Sequence, residues 1–401
     1  MPADEAPPSL WLERDLRGHR RGAAEEVEIA VVGGGIVGLS TAYWLLRAGH
    51  RPLLLEADDI AAHASGRNAG FLLTGSAEPY ARFAEMVGEA GARRFWELSR
   101  LNRQLLRSEI LDGGRVECDF VPEGSWLAAL AGTGQEEELR QSAARLAAIG
   151  FEIEWRDAAE VRRASGSDLL GGAIFQAEDG GLDPVALCRG LAALLAAGGC
   201  EVRTGAAVLG VETGGGSGPA VLLRCAGRQV RAERVALALN AYSPRLLPRL
   251  AGEIHPVRGQ ILATAPAPRQ LAGVWYINDG YEYARQLPDG TFLLGGCRWA
   301  ARDVEVGYLE APTATVQGAL ERFRAAAFPR FAHLPVVRRW AGTMAVTADG
   351  LPRLGAVAEI PGAFFAAGLN GHGMSLGFAL GRHLAGLLLG EAEQPLFDAA
   401  A

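Results

Sequence analysis

Two rhythms of apolar residues alternate along this chain, one suited to strands and one to helices. Val27-Glu28-Ile29-Ala30-Val31-Val32 is a short run rich in β-branched residues, as a buried parallel strand should be. Gly33-Gly34-Gly35-Ile36-Val37-Gly38 follows at once, and then Leu39, Ala42, Tyr43, Leu45 and Leu46 recur at helical spacing until Gly49 stops them. Pro52-Leu53-Leu54-Leu55 is a second apolar strand, and it ends on the carboxylate of Glu56.

Farther along, helical spacing returns over residues 78–111, with Phe83, Phe95, Leu98 and Ile110 among its core positions. Gly88 and Gly91 are expected to divide that stretch into two helices. Residues 116–130 read as two strands about Pro122-Glu123-Gly124, residues 136–149 as a helix and 151–155 as a strand. Asp183 before Pro184 is a helix start, running to residue 197. Strands at 200–203 and 207–211, a hairpin over 221–231 and a buried run at 235–241 follow. Further strands are expected at 256–262, 275–277, 281–286 and 291–294, the last two joined at Pro288-Asp289-Gly290. A helix at 313–328, a strand at 363–367 and an apolar helix from Met374 to Leu389 complete the pattern.

Composition narrows the picture. The 401 residues suffice for two domains or one large discontinuous one, and 49% hydrophobic against 21% charged residues describes a globular chain with a large core. A net charge of −7 argues against nucleic acid or an anionic membrane as the main partner. There is no lysine. The five cysteines form no CxxC pair, which suggests a reducing, cytoplasmic setting and neither a disulfide framework nor a metal site. Residues 1–26 read as a polar tail that docks through Leu10-Trp11-Leu12, without the regions of a signal peptide. The longest uncharged apolar run, residues 30–46, contains the glycine turn and is no membrane span.

The glycine turn carries the first chemistry. Gly33 permits the tight turn, Gly35 lets a pyrophosphate approach the backbone, and Gly38 lets the helix pack against the sheet. The helix start offers free N–H groups to phosphate. Glu56 is placed to accept from a ribose hydroxyl pair, which fits NAD or FAD rather than NADP. His63-Ala64-Ser65-Gly66-Arg67-Asn68-Ala69-Gly70 then forms a polar loop bordering the same crevice. Near the C-terminus, Gly371 and Gly373 permit close backbone approach before a helix whose N-terminal end would favour negative charge.

With these residues in place, the chain resembles the D-amino-acid oxidase superfamily of FAD enzymes, which includes glycine oxidase, sarcosine oxidase and γ-glutamylputrescine oxidoreductase. The resemblance runs from Trp11 to Leu389. It is carried by the glycine turn with Glu56, by residues 64–70, by Gly180-Gly181-Leu182-Asp183-Pro184, by Trp340-Ala341-Gly342 with Asp349-Gly350-Leu351-Pro352, and by Gly371-His372-Gly373-Met374. The Ser-Gly-Arg-Asn and Gly-His-Gly elements are most similar to the γ-glutamylputrescine branch.

The resemblance implies an α/β fold: a Rossmann-like FAD-binding domain (residues 27–75, 176–255 and 336–401) with a discontinuous mixed-sheet α+β substrate domain (76–175 and 256–335). It implies oxidation of the C–N bond of an amine or amino-acid derivative to an imine, with O₂ or another electron acceptor. FAD would be bound by Gly33, Gly35, Ile36, Val37, Gly38, Glu56, Ala57, Ser65, Arg67, Asn68, Ala69, Gly70, Gly342, Gly371, His372, Gly373, Met374 and Ser375, and by the backbone of Val208 at the adenine. His372 would accept a proton, and Arg258 would contact substrate. Where glycine oxidase holds its substrate carboxylate with an arginine, this chain has Met344, pointing away from a simple α-amino acid unless Arg258, Arg285 or Arg298 takes that place. Sarcosine oxidases activate O₂ with a lysine, which is absent here. Cys297 does not match the position of cysteines that link flavin in some relatives, so noncovalent FAD is expected.

Read without the resemblance, Trp275, Tyr276, Tyr281 and Tyr283 offer an aromatic box for an amine or, alternatively, the packed face of a sheet. Two other readings of the chain differ in class. One is a flavin-binding redox-sensing or assembly module without turnover. The other is an NAD-dependent dehydrogenase.

Overall fold

The computed structural model describes residues 26–214, 220–225, 228–392 and 396–397. The expected tail contact through Leu10-Trp11-Leu12 lies outside them. Two eight-stranded sheets dominate the structure.

The first sheet is built on Glu26–Val32, which pairs in parallel with Leu53–Leu55 on one side and Arg228–Leu237 on the other. Glu201–Arg203 extends one flank, and Ala363–Ala367 with Arg353–Ala356 the other. The central strands are apolar and buried toward their C-terminal ends, at Ile29–Val32, Leu53–Leu55 and Val235–Leu237, where both faces are covered, as in other parallel sheets. The Ile36–Arg47 and Gly373–Leu389 helices pack together on one face, where Gly381 approaches Ser40 and a Cβ added to it would lie 2.5 Å from that side chain. Chain order reverses about Glu26–Val32, so the crevice at its C-terminal end is the place where such sheets bind ligands.

The second sheet runs Val336–Val346, His255–Thr264, Phe292–Gly296, Glu282–Gln286, Val274–Ile277, Ser125–Leu130, Leu170–Gln176 and Glu154–Arg156. It is mixed, with Val274–Ile277 parallel to Ser125–Leu130. Val336–Val346 pairs along His255–Thr264 over ten residue pairs. The segment 336–401, expected to lie wholly with the first sheet, therefore begins in the second.

Several elements differ from expectation. Gly88 (φ 77°) kinks the Tyr80–Leu106 helix, whereas Gly91 stays helical. Residues 116–121 make only an isolated bridge, Val121 to Gly181. The Ala158–Ser165 helix and Leu170–Gln176 strand were not expected, although the helix carries a complete capping box between Asp157 and Glu160. The hairpin at 221–231 and the buried run at 235–241 share one strand, Arg228–Leu237.

Candidate active site

A cavity of about 740 Å³ runs between the two sheets. That is within the range of cofactor and ligand sites. One end starts at the glycine turn. Gly33 (φ 114°) reverses the chain as its N–H donates to Leu55 O at 2.8 Å, and Ile36 N, at the helix start, donates to Ser65 Oγ at 3.0 Å. Glu56 lies beneath the turn and accepts from Gly34 N (2.6 Å) and Asp58 N (2.9 Å). Burial raises its pKa, and these backbone donors partly offset the rise.

The other end belongs to the second sheet and the last helix. Gly259 and Gly342 face each other across paired strands, and both line the cavity. Phe71, Tyr276 and Tyr283 meet there, with ring centroids 5.4–6.2 Å apart. Met344 sits beside them, its Cε 3.1 Å and its Sδ 3.5 Å from where a Cβ on Gly259 and on Gly371, respectively, would stand. The Gly373–Leu389 helix opens onto the cavity at His372 with no acidic residue in its first turn, so its positive dipole end is uncompensated by its own side chains.

His372 is held neutral. Ala77 N donates to its Nε2 at 3.0 Å, which leaves the proton on Nδ1. Burial lowers its pKa to about 4, against a smaller raising effect of the backbone at Asn370. This is the wrong arrangement for the expected proton acceptor, because the free lone pair is already used. Among the described residues no hydrogen bond of ordinary geometry reaches the buried Nδ1 or Thr343 Oγ1, although the Asn370 backbone lies near the one and the Tyr242 hydroxyl near the other. Both residues line the cavity, and these two polar atoms suit a ligand with polar ring edges.

Most expected cofactor residues reach the cavity: Gly33, Gly35, Ile36, Val37, Glu56, Ala57, Ser65, Arg67, Asn68, Ala69, Val208, Gly342, Gly371, His372, Gly373, Met374 and Ser375 all line it. Gly38 and Gly70 do not. Their task is packing, since a Cβ would stand 1.9 Å from Gly33 O at Gly38 and 2.1 Å from Leu182 O at Gly70. Asn68 turns its amide into its own loop, toward Ala64 O, Ser65 O and Gly70 N.

Arg258 does not contact the cavity. It is 4% exposed and bonds Glu305 at 2.6 Å, with further bonds to Leu309 O and Val304 O. Arg285 is likewise spent on Ala69 O, Gly70 O and Leu182 O, and Arg298 is not on the wall either. Of the possible aromatic box, Tyr276 and Tyr283 are present. Trp275 instead stacks on Trp126 at 4.6 Å, and Tyr281 lies outside beside Arg302.

Sequence reading missed a polar cluster on the wall, comprising Asp58, His63, Tyr242, Arg245 and Tyr308. His63 bridges Asp58 (2.8 Å) and the buried Glu310 (3.2 Å), which also bonds Arg67 Nε and Thr343 N. Burial alone would lower the His63 pKa, but the two carboxylates outweigh it and raise it to about 9. Asn240 was missed too. It sits just past the Arg228–Leu237 strand, and its Oδ1 accepts from Gly368 N and Leu369 N, tying two strand ends together. Its place at the end of a strand beside the glycine turn was the signal available.

The family described as DAO, FAD dependent oxidoreductase, matches residues 28–387. The chain belongs to that family. It therefore is an FAD-dependent oxidoreductase, as the turn, the acid and the cavity fit. Among curated relatives, γ-glutamylputrescine oxidoreductase of Escherichia coli K12 is 29% identical over 93% of this chain and 86% of its own length. Glycine oxidase of Bacillus licheniformis is 27% identical over 90% and 92%. In fold the chain is similar to glycine oxidase from Geobacillus kaustophilus (TM-score 0.76, 23% identity, 94% of this chain and 97% of that one). It is also similar to L-proline dehydrogenase from P. horikoshii (TM-score 0.79, 19% identity, 93% and 96%). No helix among the described residues is long and apolar enough to cross a membrane, and none of their His, Cys, Asp and Glu residues group as a metal site.

Proposed function

We propose that this FAD-dependent oxidoreductase oxidises the C–N bond of an amine or amino-acid derivative. The first sheet carries the cofactor, and the second sheet supplies the substrate end. The observation that carries the reading is the continuity of one cavity from the dinucleotide cradle at Gly33 to the aromatic end at Tyr276 and Tyr283. Bound FAD supplies a hydride acceptor: the carbon next to nitrogen gives up two electrons and a proton, and the resulting imine takes water to give a carbonyl compound and an amine. The relatives named for γ-glutamylputrescine and glycine act on such bonds, which supports the class.

The residues do three things in this account. Gly33, Gly35 and Ile36 present backbone to the diphosphate, and Glu56 accepts from a ribose. Gly342, Thr343 and residues 371–375 border the redox-active ring, with the helix start favouring negative charge there. Phe71, Tyr276 and Tyr283 exclude water from the substrate. His372 contributes a hydrogen-bond donor at Nδ1. The five cysteines are buried and none lines the cavity, which supports a noncovalent cofactor. O₂ or another molecule takes the electrons in the second half of the cycle.

The test is anaerobic mixing of the purified holoenzyme with a panel of amines and amino-acid derivatives. The reading expects at least one to bleach the flavin with one carbonyl product formed per FAD. Flavin that no member bleaches, but that chemical reductants bleach, would favour a binding module without turnover.

A further inference from the structure

The aromatic end of the cavity has a composition that selects among amines. Phe71, Tyr276 and Tyr283 form a corner: the rings lie 5.4, 6.1 and 6.2 Å apart in the three pairs, at mutual angles of 60°, 82° and 83°. The three rings pack edge to face, and all three line the cavity. His372 closes one side, 6.3 Å from Tyr276, and Met344 another. Burial pushes both tyrosine hydroxyls well above their usual pKa, so the corner carries no phenolate, and His372 carries no charge.

No cation serves this corner among the described residues. The charged side chains on the cavity wall are Glu56, Asp58, His63, Arg67 and Arg245. Glu56 is beneath the glycine turn, Asp58 and His63 bond each other, and Arg245 lies over Tyr308 at 4.1 Å. Arg67 directs its guanidinium to Ala62 O, Ala341 O and Glu310. Arg258 and Arg285 are spent elsewhere. A carboxylate brought into the corner would lose its water and meet no cationic side chain, and the helix start at His372 is directed at the redox-active ring in the account above, so its transfer there is unfavourable. An amine behaves differently. Aromatic faces and a thioether attract an ammonium or its alkyl groups, and a neutral amine is transferred at little cost.

We infer that the Phe71–Tyr276–Tyr283 corner is an amine cage, and that the substrate is an N-alkylated or simple organic amine whose reacting carbon bears no carboxylate. This rests on the C–N oxidation proposed above and narrows it. Any acidic or strongly polar part of the substrate must then lie away from the reacting carbon, toward the cavity mouth.

Binding can be read without turnover. The holoenzyme is titrated with benzyltrimethylammonium, which has no N–H to lose, and separately with benzoate, while the flavin absorption band is followed. The cage predicts a saturable perturbation by the ammonium ion and none by benzoate at the same concentrations. Tyr276→Phe and Tyr283→Phe keep the rings and should keep the affinity, whereas Tyr276→Leu and Tyr283→Leu should weaken it about tenfold. Met344→Arg should reverse the preference and admit benzoate. Wild-type flavin that responds to benzoate more tightly than to the ammonium ion would overturn the cage, as would unchanged ammonium affinity in the two leucine variants with FAD still bound. If no amine bleaches the flavin but the ammonium titration behaves as stated, the cage stands and the C–N oxidation falls.

Discussion

Gly38 and His372 show how single positions set the properties of the site. At Gly38 the constraint is space: a Cβ would stand 1.9 Å from Gly33 O, inside the turn that faces the diphosphate. Gly38→Ala should therefore lower stability by about 1–3 kcal/mol and weaken FAD binding with it, both measured on the purified variant. A variant with wild-type melting temperature and FAD affinity would contradict that packing role. At His372 the constraint is charge. The ring is neutral because burial lowers its pKa to about 4 and Ala77 N occupies Nε2. Its folded pKa lies below the usual value of 6.5, so the stability it confers is present above pH 6.5 and is lost as pH falls toward 4. A proton NMR titration of the His372 ring should give a midpoint near 4, and a midpoint near 6.5 would contradict the burial. The glycine, the acid and the Gly-His-Gly turn were legible because each is a local requirement of backbone or charge. The state of His372 was not, since it depends on Ala77, 295 residues away along the chain.

Among elements, the segment between the Arg298–Ala301 turn and the Ala314–Ala327 helix behaves as a strap over the cofactor end. Glu305 ties its base to Arg258, Gln260 and Thr313, and Glu310 ties its end to His63 and Arg67. Tyr308 between them stands on the cavity wall against Tyr242. Glu310→Gln should lower the melting temperature and speed FAD dissociation about tenfold, the scale expected when a charged hydrogen bond is lost. An unchanged dissociation rate would remove the strap from cofactor retention. The same bridge gives a pH dependence. His63 has its folded pKa raised to about 9 from 6.5, so its contribution is complete below pH 6.5 and is lost as pH rises through about 9. The folding stability of the wild type should fall across that window, as read by the melting temperature against pH, and His63→Gln should flatten the profile. This strap was not readable in advance, because His63 and Glu310 are 247 residues apart and Glu310 sits in no motif.

At the scale of the whole molecule, the first sheet was legible because strand, turn, helix and acid follow one another within 30 residues. The strands expected at 256–262, 275–277, 281–286 and 291–294 also formed, since turn residues marked their ends. Pairing was harder. Val336–Val346 belongs to the second sheet through His255–Thr264, a choice made by partners some 80 residues away that alternation cannot reveal. Leu170–Gln176 escaped because Gly171 and Gly172 break its apolar run. The first feature bears on function, since Gly342 on Val336–Val346 faces the cavity together with Tyr276 and Tyr283 of the same sheet. The cavity is thus a product of two sheets, and its cofactor is the joint between them. The visible spectrum of the purified protein, before and after acid precipitation, tests that joint most directly. The account predicts a flavin spectrum that passes wholly into the supernatant, where the released compound is FAD. A protein that shows no flavin, even after reconstitution with FAD, would contradict it and leave the nicotinamide reading, and yellow held in the pellet would contradict the noncovalent site.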